Sequence, residues 1–225
     1  MSKRSTASIR LLFTAFACLA ALAACTRPTP TGPGALSIAP APRANTEQGD
    51  AAFRLGDEVV PLHYALELRV DPAQRRIRGK ATILLRIERP VEQLRLHAQN
   101  MRLLSVALTQ GSTRLPLAAG RVKEDEGQIR LPLPRSLAAG QASLVIEYET
   151  ALNAQLAGLY HVEEAGQHYA FSQFEPTYAR LAFPCFDEPR FKTPFDVQLI
   201  VPKGEMGASN GPLLEDKEEG DHHRL

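Results

Sequence analysis

Two polar side chains, Gln173 and Glu175, stand in the stretch FSQFEPTYARLAFPCFDEPRFKTPFD, residues 171–196, among six phenylalanines, four prolines and Cys185. An amide and a carboxylate two residues apart can share one face of an extended strand. Pro176 disfavours a helical conformation at Glu175, so the spacing predicts a strand AFSQFE that continues to that carboxylate and ends there. PTYARLAF can then open a short helix with proline in its first turn, and Pro184 and Pro189 stop it. A carboxylate and an amide placed so could bind a cation and a polar group. Strand ends also carry polar residues that simply face water, so spacing alone leaves both readings open.

Other catalytic constellations are missing from the sequence. The six histidines are His63, His97, His161, His168, His222 and His223; none is followed by Glu, and no pair stands at i, i+4. Zinc hydrolases of the H-E-x-x-H type need that spacing to bring two imidazoles to one helix face. The histidines therefore read as surface or strand-face residues. There is no nucleophile elbow, P-loop or glycine-rich dinucleotide turn. Cys185, between Pro184 and Phe186 with no neighbouring histidine, reads as structural. The chain holds no complete catalytic apparatus.

Short strands must position the pair. In LHYALELRV, Leu62, Tyr64, Leu66, Leu68 and Val70 alternate with polar positions, and KATILLRIE sets Ala81, Ile83, Leu85 and Ile87 on one face. QLRLHAQ, LLSVALT, QIRLPLP, ASLVIEYET, QHYAFSQ and FDVQLIVP continue the pattern between loops rich in Gly, Pro and charge. No sustained helical stripe occurs. These features predict an all-β fold, an antiparallel sandwich of about 170 residues with one ordinary core.

The N-terminus predicts the compartment. Residues 1–24 join the basic Lys3, Arg4 and Arg10 to a short apolar run ending LAA, and Cys25 follows. That is a secretory signal, and the run is short of the 20 or so residues of a transmembrane span. LAAC resembles a bacterial lipobox, which implies cleavage before Cys25, its lipidation and membrane attachment facing the periplasm; Thr26 resembles the outer-membrane sorting pattern. Residues 25–52, with five prolines, read as a tether and 53–225 as the folded body. With Cys18 in the signal and Cys25 lipidated, Cys185 has no disulfide partner within the chain. The net charge of +1 falls to −2 without the signal's three bases, which argues against nucleic acid. Arg75, Arg76, Arg78 and Lys80 read as a solvated hairpin rather than a phosphate patch.

QFEPTYARLAFPCFDEPRFKTPFDVQLIVPKG resembles the N-terminal domain of the M1 family of zinc aminopeptidases. The family pattern runs approximately Q-F-E-P-T-D-A-R-R-A-F-P-C-F-D-E-P; Tyr178 stands for its Asp and Leu181 for its second Arg. VVPLHYALELRVD, IRGKATILLRIE, LRLHAQNM and GLYHV are similar to further landmarks, so the resemblance spans about residues 53–225. It implies a saddle-like β-sandwich closing one side of an active-site cavity. Glu175 would contact the substrate's free α-amino group, and Gln173 would line the pocket for its first side chain. Arg180 and FPCFDEP would brace the strand exit, with Phe183 and Phe186 in the core. The zinc, its general base and a G-x-M-E-N loop belong to a following catalytic domain that this sequence does not contain. The chain is accordingly expected to bind no catalytic zinc and to be inactive alone, as the front of a longer enzyme. The alternative is a lipid-anchored, non-catalytic β-sandwich that binds peptide N-termini or docks on a separate catalytic chain.

Overall fold

A computed structural model describes residues 54–122 and 127–225. The signal, Cys25 and the tether lie outside the described residues. Among those described, no helix is long and apolar enough to cross a membrane.

Among the described residues, thirteen strands follow in chain order: β1 (Val59–Asp71), β2 (Arg76–Ile87), β3 (Val91–His97), β4 (Met101–Gln110), β5 (Thr113–Leu117), β6 (Gly120–Arg121), β7 (Gln128–Leu137), β8 (Gly140–Ala151), β9 (Gly158–Glu164), β10 (Gln167–Gln173), β11 (Phe195–Pro202), β12 (Lys217–Glu219) and β13 (His222–Arg224). A 3₁₀ turn, Ala179–Leu181, lies between β10 and β11. The main sheet runs β12-β13-β11-β1-β2-β8-β4-β5, with β6 also on β4, and two hairpin-like sheets pair β3 with β7 and β9 with β10.

Alternating residues build the core. Tyr64, Leu66, Leu68 and Val70 of β1, Ile77, Ala81, Ile83, Leu85 and Ile87 of β2, and Leu144, Ile146 and Tyr148 of β8 are buried along one face of the main sheet. Leu94 and Leu96 of β3 and Ile129 and Leu131 of β7 join the same apolar cluster. The opposite face of β2 carries Arg76, Arg78 and Lys80 in solvent, as the sequence predicts. Two-layer packing of half-buried sheets is the sandwich solution to that alternation.

Two details depart from the sequence reading. The sandwich is not wholly antiparallel: β1 pairs with β11 in parallel, Tyr64 opposite Phe195. A parallel pair needs a long crossover, and everything between Asp71 and Phe195 supplies one. A bulge between Pro61 and His63 also breaks the alternation of β1, so Leu62 is only half-buried while Pro61 and Tyr64 are buried.

Candidate functional site

The strand carrying Gln173 ends earlier than its sequence suggests. Gln173, opposite Gly158, is the last residue of β10. Glu175 lies in the turn that follows, and the Glu175–Pro176 peptide is cis. The reason is packing. Phe174 turns inward and meets Phe183 edge to face at 5.6 Å, and the Tyr178 amide donates to the Phe174 carbonyl at 2.8 Å. A half-buried aromatic contact and a closed turn outweigh two further residues of strand for which β9 offers no partner. Gln173 and Glu175 therefore do not share a strand face; they flank Phe174, and both are exposed.

The helix expected over PTYARLAF is only the single 3₁₀ turn Ala179–Leu181. It lies against the start of β9. Gly158 has φ +72°, and a Cβ built there would sit 2.7 Å from the Leu181 Cβ. Glycine is required on both counts, for the left-handed backbone and for the close approach.

Beyond the turn, FPCFDEP is stapled into the sandwich from several sides. The Arg180 side chain donates through Nε to the Asp187 Oδ2 at 2.8 Å and through Nη2 to the Asp187 carbonyl at 3.1 Å. The Arg180 amide shares the same carboxylate oxygen at 3.2 Å. His97 and Cys185 exchange backbone hydrogen bonds of 2.7 and 2.9 Å, and the Asp187 amide donates to the His97 Nδ1 at 3.0 Å. The Phe186 amide donates to the Tyr64 hydroxyl oxygen at 2.9 Å. Downstream, Arg190 joins Glu188 at 2.6 Å and also pairs with Asp57, while its guanidinium covers the Phe191 ring at 4.3 Å. The backbone beside Glu175 is thus held by neighbours distant in sequence.

Burial sets the chemistry of this support. Phe183, Cys185 and Phe186 are buried. Desolvation pushes the Cys185 thiol well above its ordinary range, with Asp187 adding to the effect, so it is a packed side chain and not a nucleophile. Burial likewise raises the Tyr64 phenol. His97, read from sequence as a surface or strand-face residue, is a correction: it is 1% exposed and accepts a hydrogen bond through Nδ1. It ends β3 under the FPCFDEP segment, a long-range contact that no local spacing announces.

The two faces of the β9–β10 hairpin differ. Gln173 shares its face with Tyr160, Tyr169 and Phe171; the Phe171 ring lies 6.0 Å from Tyr160 and 6.2 Å from Tyr169 and is 49% exposed. The other face brings His161, Glu163 and His168 together, with His161 Nε2 and His168 Nδ1 3.0 Å apart. That grouping crosses two strands, so a search for helical i, i+4 pairs does not find it. Partial burial lowers the His161 pKa, and Arg75 and His168 add to the shift. A groove of about 750 Å³, lined by Arg69, Arg76, Arg78 and Glu149 and also by Ile77 and Met101, includes neither Gln173 nor Glu175.

The described residues thus form a β-sandwich with an exposed amide and carboxylate at a braced strand exit. The chain belongs to the family described as the peptidase M1 N-terminal domain, whose model matches residues 60–225. It is 31% identical over 183 residues to glutamyl aminopeptidase of Rattus norvegicus, covering 76% of this chain and 19% of that protein. To aminopeptidase M1-C of Oryza sativa subsp. japonica it is 32% identical over 185 residues, 79% of this chain and 20% of that one. The chain therefore spans about a fifth of the length of these curated relatives. Among solved structures, a mutant M1 zinc metallopeptidase of Deinococcus radiodurans bound to a Tyr-Ser-Ala substrate shares the fold. Its TM-score is 0.60 at 23% identity, over 75% of this chain and 38% of that one.

Proposed function

We propose that residues 53–225 are the substrate-anchoring front domain of a zinc metalloaminopeptidase that removes N-terminal residues from peptides. The observation that carries this reading is the pair of exposed polar side chains, Gln173 and Glu175, on a strand exit whose backbone is fixed by the Arg180–Asp187 pair. A peptide's α-ammonium has a pKa of about 8 and is mostly cationic at neutral pH. Glu175 would pair with it through a charge-assisted hydrogen bond. An internal peptide bond offers no such cation, so one fixed carboxylate selects chain ends and sets the distance from the amino group to the bond to be cut. Gln173 would face the first side chain, beside the exposed aromatic rings of β10.

Zinc would supply the Lewis acid and the activated water of such an enzyme. The sequence has no H-E-x-x-H, and the described cluster of metal-capable side chains, His161, Glu163 and His168, projects from the hairpin face opposite Gln173. The residues present do not fit the hydrolytic site, which on this reading belongs to a separate catalytic domain. The chain alone is then inactive. Its signal and LAAC sequence would place it on the periplasmic side of a bacterial envelope membrane, the outer one by the Thr26 cue, through a lipid on Cys25.

The test is steady-state kinetics of the enzyme that carries this domain, with Glu175→Gln against the unchanged form. Loss of a charge-assisted contact of about 1.5–3 kcal/mol lowers kcat/KM for free-amino peptides roughly 10- to 150-fold. An unchanged kcat/KM would remove Glu175 from the substrate site.

A further inference from the structure

The β9–β10 hairpin carries a second set of chemistry on the face turned away from Gln173. His161 and Glu163 are two apart on β9 and so point the same way. Glu163 lies directly opposite His168 on β10. Cross-strand neighbours on one face have Cβ atoms about 4.5–5.5 Å apart, which lets three side chains converge. Here they do: His161 Nε2 is 3.0 Å from His168 Nδ1, which is 3.9 Å from the Glu163 Oε2. One ligand atom from each residue lies within 4.8 Å of the other two.

We infer that His161, Glu163 and His168 form a binding site for a late first-row divalent cation of the zinc, nickel or copper type. Donor chemistry selects the class. Two imidazoles and one carboxylate suit these ions, whereas calcium and magnesium take oxygen ligands almost throughout. Geometry fits as well. Bonds of about 2.0–2.1 Å in a tetrahedral arrangement place ligand atoms about 3.4 Å apart; two observed separations, 3.0 and 3.9 Å, bracket that value, and the third, His161 to Glu163, is within 4.8 Å. Small side-chain rotations close the difference, on an antiparallel ladder that pairs all seven residues of each strand.

The proton balance is simple. Without an ion, one ring nitrogen of the close pair donates and the other accepts. Ligation needs a lone pair on both, so the donating ring moves its proton to its far nitrogen. Both rings are then neutral, with hydrogens on Nδ1 of His161 and Nε2 of His168, and no other group must change charge. Arg75 Nη2 approaches the same Glu163 oxygen at 3.3 Å. A carboxylate has two oxygens and room for a guanidinium and an ion together. Three protein ligands leave a coordination position for water or a further ligand.

The experiment uses the 225-residue chain without a polyhistidine tag, stripped with a chelator and titrated with Zn²⁺ alone. Binding is followed by calorimetry and ring tautomers by nitrogen-detected NMR of the histidines. Expected is one Zn²⁺ per chain, with His161 and His168 moving to the tautomers given above. His161→Gln and His168→Gln each weaken binding by at least about tenfold. The pair His222→Gln/His223→Gln, on β13 of the main sheet, leaves it unchanged. Circular dichroism and the amide spectrum verify that each variant is folded. Zinc bound no more tightly by the unchanged chain than by the folded His161→Gln/His168→Gln variant would overturn the assignment. So would binding abolished by the His222→Gln/His223→Gln change.

Discussion

Replacing Asp187 by alanine removes one carboxylate oxygen that accepts from both the Arg180 side chain, at 2.8 Å, and the Arg180 amide, at 3.2 Å. The side chains are 8% exposed for Asp187 and 16% for Arg180, so water cannot readily replace the lost partner. Removing one member of a buried ion pair strands the other and costs about 3–5 kcal/mol, against about 0–1 kcal/mol for a surface pair. In a domain of this size each kcal/mol lowers Tm by about 2–4 °C, so a fall of about 6–20 °C is expected. Urea and thermal unfolding of the single variants measure it. Arg180→Leu combined with Asp187→Ala should cost less than the two changes summed, because the second removes the stranded charge. The reasoning fails if Asp187→Ala costs less than about 1 kcal/mol, the range of a solvated pair. In that case the turn beside Glu175 is not held by this bridge.

Gly79 of β2 faces Tyr148 of β8, and a Cβ built there would lie 2.3 Å from the phenol ring. With Tyr148 fully buried the ring has nowhere to move, so Gly79→Ala should destabilise by about 1–3 kcal/mol, measured by denaturant unfolding with an unchanged m-value. His223, hydrogen-bonded to Asp216 and to the Glu205 carbonyl, has its pKa raised above the ordinary imidazole value. Because the folded value exceeds the unfolded one, its contribution is complete below a pH of about 6.5 and fades as pH rises through the folded value. Proton NMR titration should show the raised value, and Asp216→Asn should bring it back down.

Much of the fold is legible because alternation is a local signal. Ala81, Ile83, Leu85 and Ile87 are read correctly from spacing, since one buried face imposes period two. The bulge at Pro61–His63 is not, because an inserted residue leaves composition untouched. The parallel pairing of β1 with β11 depends on a crossover of more than a hundred residues, which no window of sequence encodes. Within the candidate site, Phe183 and Phe186 are buried, as the expectation of core residues requires, and Gln173 and Glu175 are exposed. The early end of β10 depends on Phe174 finding Phe183, a tertiary choice over local preference. His97 escaped because its partner, Asp187, lies ninety residues away in the chain, and the His161–Glu163–His168 group because it spans two strands.

The central claim is that this chain supplies a substrate-anchoring face to a zinc aminopeptidase. Reading the DNA beyond the Leu225 codon in all three frames, together with mass spectrometry of any chain that co-purifies with this one, tests it most directly. The account predicts G-x-M-E-N and H-E-x-x-H either in the continuing frame or in a co-purifying chain. Unrelated sequence after a genuine stop, with no such partner, would contradict it.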